Sequence, residues 1–372
     1  MVAQTPQAEA RIAELWVFPV KGCQGLKVEK WPLTPTGFKW DRHWCIVDMT
    51  GNRQPEREYI SARKLPKLCT IQVDFVKKGN ETMLRLCAAS MMPLEIPTDW
   101  EPYLQNEEIE ARCSGFSTTD PNSTGWELGS IPSRSAGDAA ERWMSAYLNR
   151  PDVAAPGTED KPRSRYVLVR GDPEKMRSVA DYAGPEAVRG IPGADMRKIN
   201  AKRGDRTSFQ DWAPVLMTSL SSGRELGQLM GTRDVPYPVL SARGNLVVDG
   251  LPAWEEETWA EFNVGGVFFR KLKECPRCIS PNRDMTTGDF LFKNGEFCGA
   301  KGRSTTPMVT LSKKFPEKSG DDEWGTWKGP FFGVYIGHDG QDGELELGMP
   351  VTVVKKAAKK GSVLQRALVL AA

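Results

Sequence analysis

The chain has 372 residues, with 50 Lys and Arg against 48 Asp and Glu and a formal net charge of +2, so no global field draws it to nucleic acid or to an anionic membrane and any charge-based function is local. Its length suits about two domains at roughly 100–200 residues each, with a core apiece, and excludes a disulfide-stapled mini-protein. The 35 glycines and 27 prolines exceed average usage and disfavour a helix bundle. Eight cysteines, too sparse and irregular for a disulfide framework, point to a reducing compartment. With only two histidines, His43 and His338, a His-rich metal site, an HExxH zincin and nearly all His-based triads are arithmetically out. A metal would have to be held by sulfur or by a cofactor.

Residues 1–10 read as a flexible arm, with neither the positive n-region and apolar h-region of a signal peptide nor an apolar anchor. No run of about 18 apolar residues occurs, so no transmembrane segment is expected, and the sequons at Asn80 and Asn122 read as chance. From Arg11 to about Phe75 short alternating runs broken by Gly and Pro predict strands and hairpins. LCTIQVDFV and TMLRLCA continue them around the turn KKGN, and MPLEIP adds another extended piece. A Ser/Thr/Gly/Pro-rich stretch over 114–137 leads into a helix with Ala140, Trp143, Met144, Tyr147 and Leu148 on one face and Ser135 or Asp138 as its cap. That helix closes a first domain, 11–150.

A Pro-rich charged linker opens the second domain, 151–356, followed by the strand YVLVR. FQDWAPVLMTSLSSGRELGQLMG predicts a strand entering a helix, with Ser222 and Glu225 as a capping box and Gly231 as its stop. NLVVDG, VGGVFFRKLKE, PFFGVYIG and GELELGMPVTVVKK read as further strands, the last two joined by HDGQDG. The basic and then apolar tail, 357–372, reads as a docked or frayed terminus rather than a membrane helix. The fold class is α+β and β-rich: an N-terminal β-barrel-like domain followed by a mixed β-barrel domain with few helices.

Four features carry chemistry. In ECPRC, Cys275 and Cys278 sit just past a strand. Zinc lacks a second pair, since only Cys298 follows, and a dithiol redox motif lacks its helix. Spacing alone favours two ordinary half-buried cysteines, although Arg277 between them suits a thiolate that binds a soft metal. PVKGCQG sets Lys21 in a Gly-bracketed turn, which makes either a small anion site or a solvated hairpin tip. DRHW places Arg42 beside Asp41, by default a strand-edge salt bridge, and SARGN sets Arg243 and Asn245 ahead of a strand.

In this order, WVFPVKGCQG, GFKWDRHWCIVD, ISARKLPKL, GDAAERWMSAYL, FQDWAPVLMTS, ARGNLVVDG and ECPRC with DMTTG resemble the MOSC proteins. That family is named for the C-terminal domain of molybdenum cofactor sulfurases, and the nearest likeness is to its amidoxime reducing branch, which carries an N-terminal β-barrel domain. The resemblance implies a molybdenum cofactor, molybdenum held by the dithiolene of a pyranopterin and by one protein thiolate, Cys278. It further implies phosphate and pterin contacts from Lys21, Gly22, Arg42, Arg243 and Asn245, and an acidic residue near the metal, Asp211. Gly22 stands where relatives often have Ser. Trp212, Ala213 and Pro276 also depart from the pattern, and the stretches 171–205 and 294–329 look long, so the substrate funnel should differ.

The implied activity is a molybdenum-dependent oxidoreductase that reduces N-hydroxylated or N-oxide substrates. The chain has no flavin or nicotinamide fingerprint and no CxxCH haem site, so electrons come from outside, by resemblance from cytochrome b5 and its flavin reductase. A monomer is expected, cytoplasmic or organellar and soluble, although the family resemblance also suggests the mitochondrial outer membrane. The alternative is a non-catalytic carrier of pyranopterin or sulfur, as in the sulfurase domain.

Overall fold

The computed structural model describes residues 9–50, 56–114, 127–154, 163–183, 200–230, 239–278, 280–289, 307–315 and 330–357. An eight-stranded sheet runs in the order Leu26–Val28, Arg11–Val17, Leu246–Asp249, Val215–Ser219, Phe331–Gly337, Val267–Pro276, Trp259–Val264 and Val351–Lys356. A five-stranded sheet runs Trp44–Asp48, Tyr166–Gly171, Glu127–Ser135, Glu108–Ser114 and Glu56–Glu58. The α-helices among the described residues are Asp138–Leu148, Val179–Ala183, Leu220–Leu229 and Pro307–Lys314. The β-rich class with few helices is as expected, and no helix among the described residues is long and apolar enough to cross a membrane.

Burial follows position in the sheet. Phe331–Gly337 is buried at every residue because it pairs with Val215–Ser219 on one side and Val267–Pro276 on the other. In Arg11–Val17, Ile12, Leu15 and Val17 point into a core shared with Phe262, Phe269, Ile336 and Leu345. Val215–Ser219 and Leu246–Asp249 pair in parallel, which requires a crossover, and the helix Leu220–Leu229 lies within it. Strands also trade between early and late parts of the chain. Arg11–Val17 pairs with Leu246–Asp249, Lys30–Thr34 with Gly343–Glu346, and Trp44–Asp48 with Tyr166–Gly171. This exchange carries the turns after the early strands to the loops around residues 209–211 and 242–245.

Local expectations needed correction at four places. The helix Asp138–Leu148 has Gly137 at its N-cap, at φ 91 with no side-chain cap, and Ser135 Oγ instead accepts from the Gly137 N–H at 3.0 Å. The second helix begins earlier than the predicted box: Ser219 caps it, accepting from the N–H groups of Ser221 and Ser222. The buried Ser222 hydroxyl donates to Glu256 at 2.7 Å, and the expected stop, Gly231, lies outside the described residues. VGGVFFRKLKE is not one strand but the turn and second arm of a hairpin, with Gly265 and Gly266 at φ 57 and 83 between Trp259–Val264 and Val267–Pro276. The second half of the polar stretch 114–137 is the strand Glu127–Ser135, held by antiparallel partners on both sides. The tail beyond Ala357 and residues 1–8 lie outside the described residues.

Candidate functional site

Lys21 leaves the strand Arg11–Val17 through PVKGC, and its backbone N–H donates to the Trp44 carbonyl at 2.8 Å. It is no solvated tip. The buried side chain donates from Nζ to Asp211 Oδ1 at 2.6 Å and to the Phe209 carbonyl at 2.7 Å, 4.5 Å from the Tyr59 ring centroid. The Tyr59 hydroxyl donates to the same Asp211 oxygen at 3.2 Å. Partial desolvation by the surrounding protein works to raise the Asp211 carboxyl, but the charge and hydrogen bond of Lys21, the charge of Arg42 and the Tyr59 hydroxyl outweigh it and hold the group at about 2. Its side chain is 52% exposed, so an ionised acceptor faces outward. Gly22 has φ +89, and a Cβ there would meet Leu68 Cδ1 at 2.8 Å, which explains glycine in this chain.

Arg42 and Arg243 both take left-handed backbone conformations, at φ 52 and 55, uncommon for residues with a side chain. Asp41, fully buried, collects the donors around them. Its carboxylate accepts from Arg42 Nη1 at 2.7 and 2.8 Å, from the Phe18 N–H at 2.8 Å, from Asn245 Nδ2 at 2.9 Å and from Gln210 Nε2 at 3.4 Å. The ion pair predicted in DRHW is therefore an interior hub rather than a strand-edge bridge. Asn245 also donates to the Trp16 carbonyl at 3.1 Å, and its Oδ1 accepts from Arg42 Nη1 at 3.2 Å and the Leu216 N–H at 3.3 Å. Its amide is fully used by Asp41, Arg42, the Trp16 carbonyl and the Leu216 N–H.

Arg42 Nη2 donates to the Arg243 carbonyl at 3.0 Å, and Arg243 Nη1 to the Cys23 carbonyl at 2.7 Å. Arg243 Nη2 is buried with no hydrogen-bond acceptor among the described residues. Burial, reinforced by the charge of Arg42, lowers the Arg243 guanidinium to about 10. The nearby Cys23 and Cys69 thiols do not neutralise it, because burial pushes them up to about 12 and about 11. Each guanidinium carbon lies 4.3 Å from the centroid of the Phe18 ring.

Past the strand Val267–Pro276, Cys275 is buried and its sulfur accepts from Arg277 Nη1 at 2.8 Å. Arg277 Nη2 donates to the Ala242 carbonyl, next to Arg243, and its N–H to the Pro330 carbonyl at 2.8 Å. Cys278 is the exposed thiol among the described free cysteines, with its sulfur 3.3 Å from Ser280 Oγ and 3.5 Å from the Ser280 N–H. The structure thus joins Lys21 to Asp211, and Arg42 to Asn245 and Arg243, by direct contacts. Cys278 is tied in through Arg277 and Ala242. Sequence reasoning missed Phe18, Tyr59 and Gln210, for which no motif gives a signal, and undervalued Asp41 and Arg277, which adjoin residues it did single out.

The arrangement can hold an anion and a soft metal. A buried guanidinium N–H without an acceptor, a second guanidinium beside it and a nearby ammonium suit a phosphoryl group. An exposed thiol suits a metal whose remaining ligands come from a cofactor, and no group of three or more His, Cys, Asp or Glu that could hold an ion occurs among the described residues. The residues present fit a phosphorylated, sulfur-bearing metal cofactor.

Comparisons with known proteins agree. Residues 9–151 match the MOSC N-terminal beta barrel domain and residues 204–352 the MOSC domain. The chain is 25% identical over 350 residues to mitochondrial amidoxime reducing component 2 of Bos taurus, covering 93% of this chain and 83% of that one. It is 25% identical over 350 residues to mitochondrial amidoxime-reducing component 1 of Mus musculus, covering 93% and 82%. Against the molybdenum cofactor sulfurase of Bos taurus it is 25% identical over 292 residues, 77% of this chain and only 28% of the sulfurase. The motif resemblance is thereby borne out, and the chain belongs to the MOSC family, with a MOSC N-terminal beta barrel domain followed by a MOSC domain.

Proposed function

We propose that the chain is a molybdenum-cofactor oxidoreductase that reduces N-hydroxylated or N-oxide substrates with electrons from a separate donor. The observation that carries this reading is the unsatisfied buried Nη2 of Arg243 beside Arg42, joined through Ala242 and Arg277 to the loop of the exposed Cys278. Arg42, Arg243 and the Lys21–Gly22 turn hold the phosphoryl and pterin parts, and Cys278 supplies the protein thiolate. When bound, the cofactor would supply two-electron redox chemistry at the substrate's N–O bond. For an amidoxime the balance is cleavage of the N–OH bond with two electrons and two protons, giving the amidine and water.

Asp211 has a defined part in this. With its carboxyl held well below the usual carboxylate range by Lys21, Arg42 and Tyr59, Asp211 is ionised at neutral pH and does not act as a general acid. It accepts a hydrogen bond from the hydroxyl on the substrate nitrogen and orients it, while Lys21 and Tyr59 fix the carboxylate. Protons for water formation come from solvent. By resemblance the donor is cytochrome b5 with its flavin reductase. The test is reduction of benzamidoxime by the purified, cofactor-loaded chain with an artificial reductant: benzamidine forms with the loaded protein and not with the cofactor-free protein. A loaded protein with no turnover on any N-hydroxylated substrate favours the second reading, a carrier of pyranopterin or sulfur. The alignment of 77% of this chain with a sulfurase supports that alternative.

A further inference from the structure

We propose that Phe18 is a positioning residue for anion binding: its ring sets the spacing of the Arg42 and Arg243 guanidiniums so that one phosphoryl group bridges them. The inference rests on the reading that these arginines hold the cofactor's phosphate, and it concerns a residue that is itself fully buried and carries no polar side-chain atom. Both guanidinium carbons lie 4.3 Å from one ring centroid and so stand no more than twice that distance apart. A guanidinium carbon hydrogen-bonded to phosphate lies about 4 Å from phosphorus, so two of them share a single phosphoryl group when their carbons stand within about 8 Å of each other along the ring edge. Without the ring, two like charges in a buried setting drift apart or turn to solvent. The negative face of an aromatic ring offsets part of that repulsion while leaving the N–H groups free to donate.

The ring is held from three directions. The Phe18 N–H donates to Asp41 Oδ1 and its carbonyl accepts from the Arg42 N–H, each at 2.8 Å, so residue 18 is fixed to the segment that carries one of the arginines. Gly25 closes the ring edge: a Cβ there would lie 2.4 Å from Cε1 and 2.8 Å from Cδ1 of Phe18. Arg243 reaches the ring from a segment remote in sequence, with its own backbone in the left-handed region. A ring that merely filled the core would not need two cations over it.

The experiment measures inorganic phosphate binding to the full-length, cofactor-free chain by calorimetry. Phe18→Leu raises the phosphate Kd about tenfold, and a series of ring-fluorinated phenylalanines at position 18, which weaken the ring's negative face at nearly constant shape, raises it stepwise at unchanged melting temperature. The fluorinated series decides the matter if Phe18→Leu does not fold. Arg42→Met and Arg243→Met test the underlying reading separately. If they lose phosphate binding while the fluorinated series binds as tightly as the unmodified chain or tighter, the role of Phe18 is overturned and the anion site stands. If they bind phosphate normally, or the unmodified chain binds none, the anion site itself is overturned. A second readout is pterin content after expression in a cofactor-competent host, which falls along the same series.

Discussion

Asp41→Asn tests the electrostatics of the site most sharply. The carboxylate is fully buried and is the ion-pair partner of Arg42, whose side chain is only 11% exposed. The amide retains one acceptor for the Phe18 N–H but sets a donor against Arg42 or Asn245. It also leaves two buried guanidiniums without a carboxylate at the hub between them. Removing one partner of a buried pair costs about 3–5 kcal/mol. At about 2.1 cal/mol/K per residue over 372 residues, about 4 kcal/mol lowers the melting temperature by about 5 °C. Added phosphate should then raise the melting temperature of the variant by more than it raises that of the natural sequence, because the anion takes over the neutralisation that Asp41 provided. Differential scanning calorimetry with and without phosphate reads both effects. A loss under about 1 °C, or equal phosphate stabilisation of both proteins, would refute the hub.

Lys21→Ala removes the largest influences lowering the Asp211 carboxyl, so its pKa moves up from about 2 and the acid limb of activity shifts to higher pH; carbon NMR of labelled aspartate checks the direction. The same variant loses a charge-assisted contact of about 1.5–3 kcal/mol, so molybdenum retention falls roughly 10- to 100-fold. Cys275→Ser is tolerated because a hydroxyl still accepts from Arg277, whereas Cys275→Val removes the acceptor of Arg277 Nη1 and lowers molybdenum occupancy, read by metal analysis. Burial, with the charge of Arg170, holds His43 at about 3, and burial also lowers His338. Both folded values lie below the unfolded one of about 6.5, so the unfolded chain protonates first. Stability is full above about pH 6.5 and falls as pH drops towards the folded values, by up to about 1.4 kcal/mol per pH unit for each histidine. Urea unfolding at several pH values should show this limb, and His43→Asn should reduce it.

The sequence made the strands of the eight-stranded sheet legible because their alternation and uninterrupted apolar runs report burial directly, as in WVFPV and FFGVYIG. It did not show that Arg11–Val17 pairs with Leu246–Asp249, since a strand's partner is fixed by long-range register rather than local pattern. The same limit applies to the site. Lys21, Arg42 and Arg243 stand out because charges beside Gly-bracketed turns are conspicuous, yet nothing local says that Lys21 is buried against Asp211 nearly two hundred residues away. Phe18 and Tyr59 look like ordinary strand aromatics until the fold sets cations against them. Helix caps failed for a smaller reason. Ser135 and Ser222 have cap chemistry, but Ser135 bonds one residue outside the helix and Ser222 turns to the buried Glu256, leaving the caps to Gly137 and Ser219.

The proposed function stands or falls on Cys278 as the protein ligand of a molybdenum cofactor held by the arginines around Phe18. X-ray absorption at the molybdenum edge of the loaded chain counts the sulfur atoms on the metal, and Cys278→Ser and Cys275→Ser are the comparison. Cys278→Ser is expected to retain pterin but lose one sulfur from the metal's shell, while Cys275→Ser keeps the shell of the natural sequence. An unchanged sulfur count in Cys278→Ser, or the loss of a sulfur in Cys275→Ser, would contradict it.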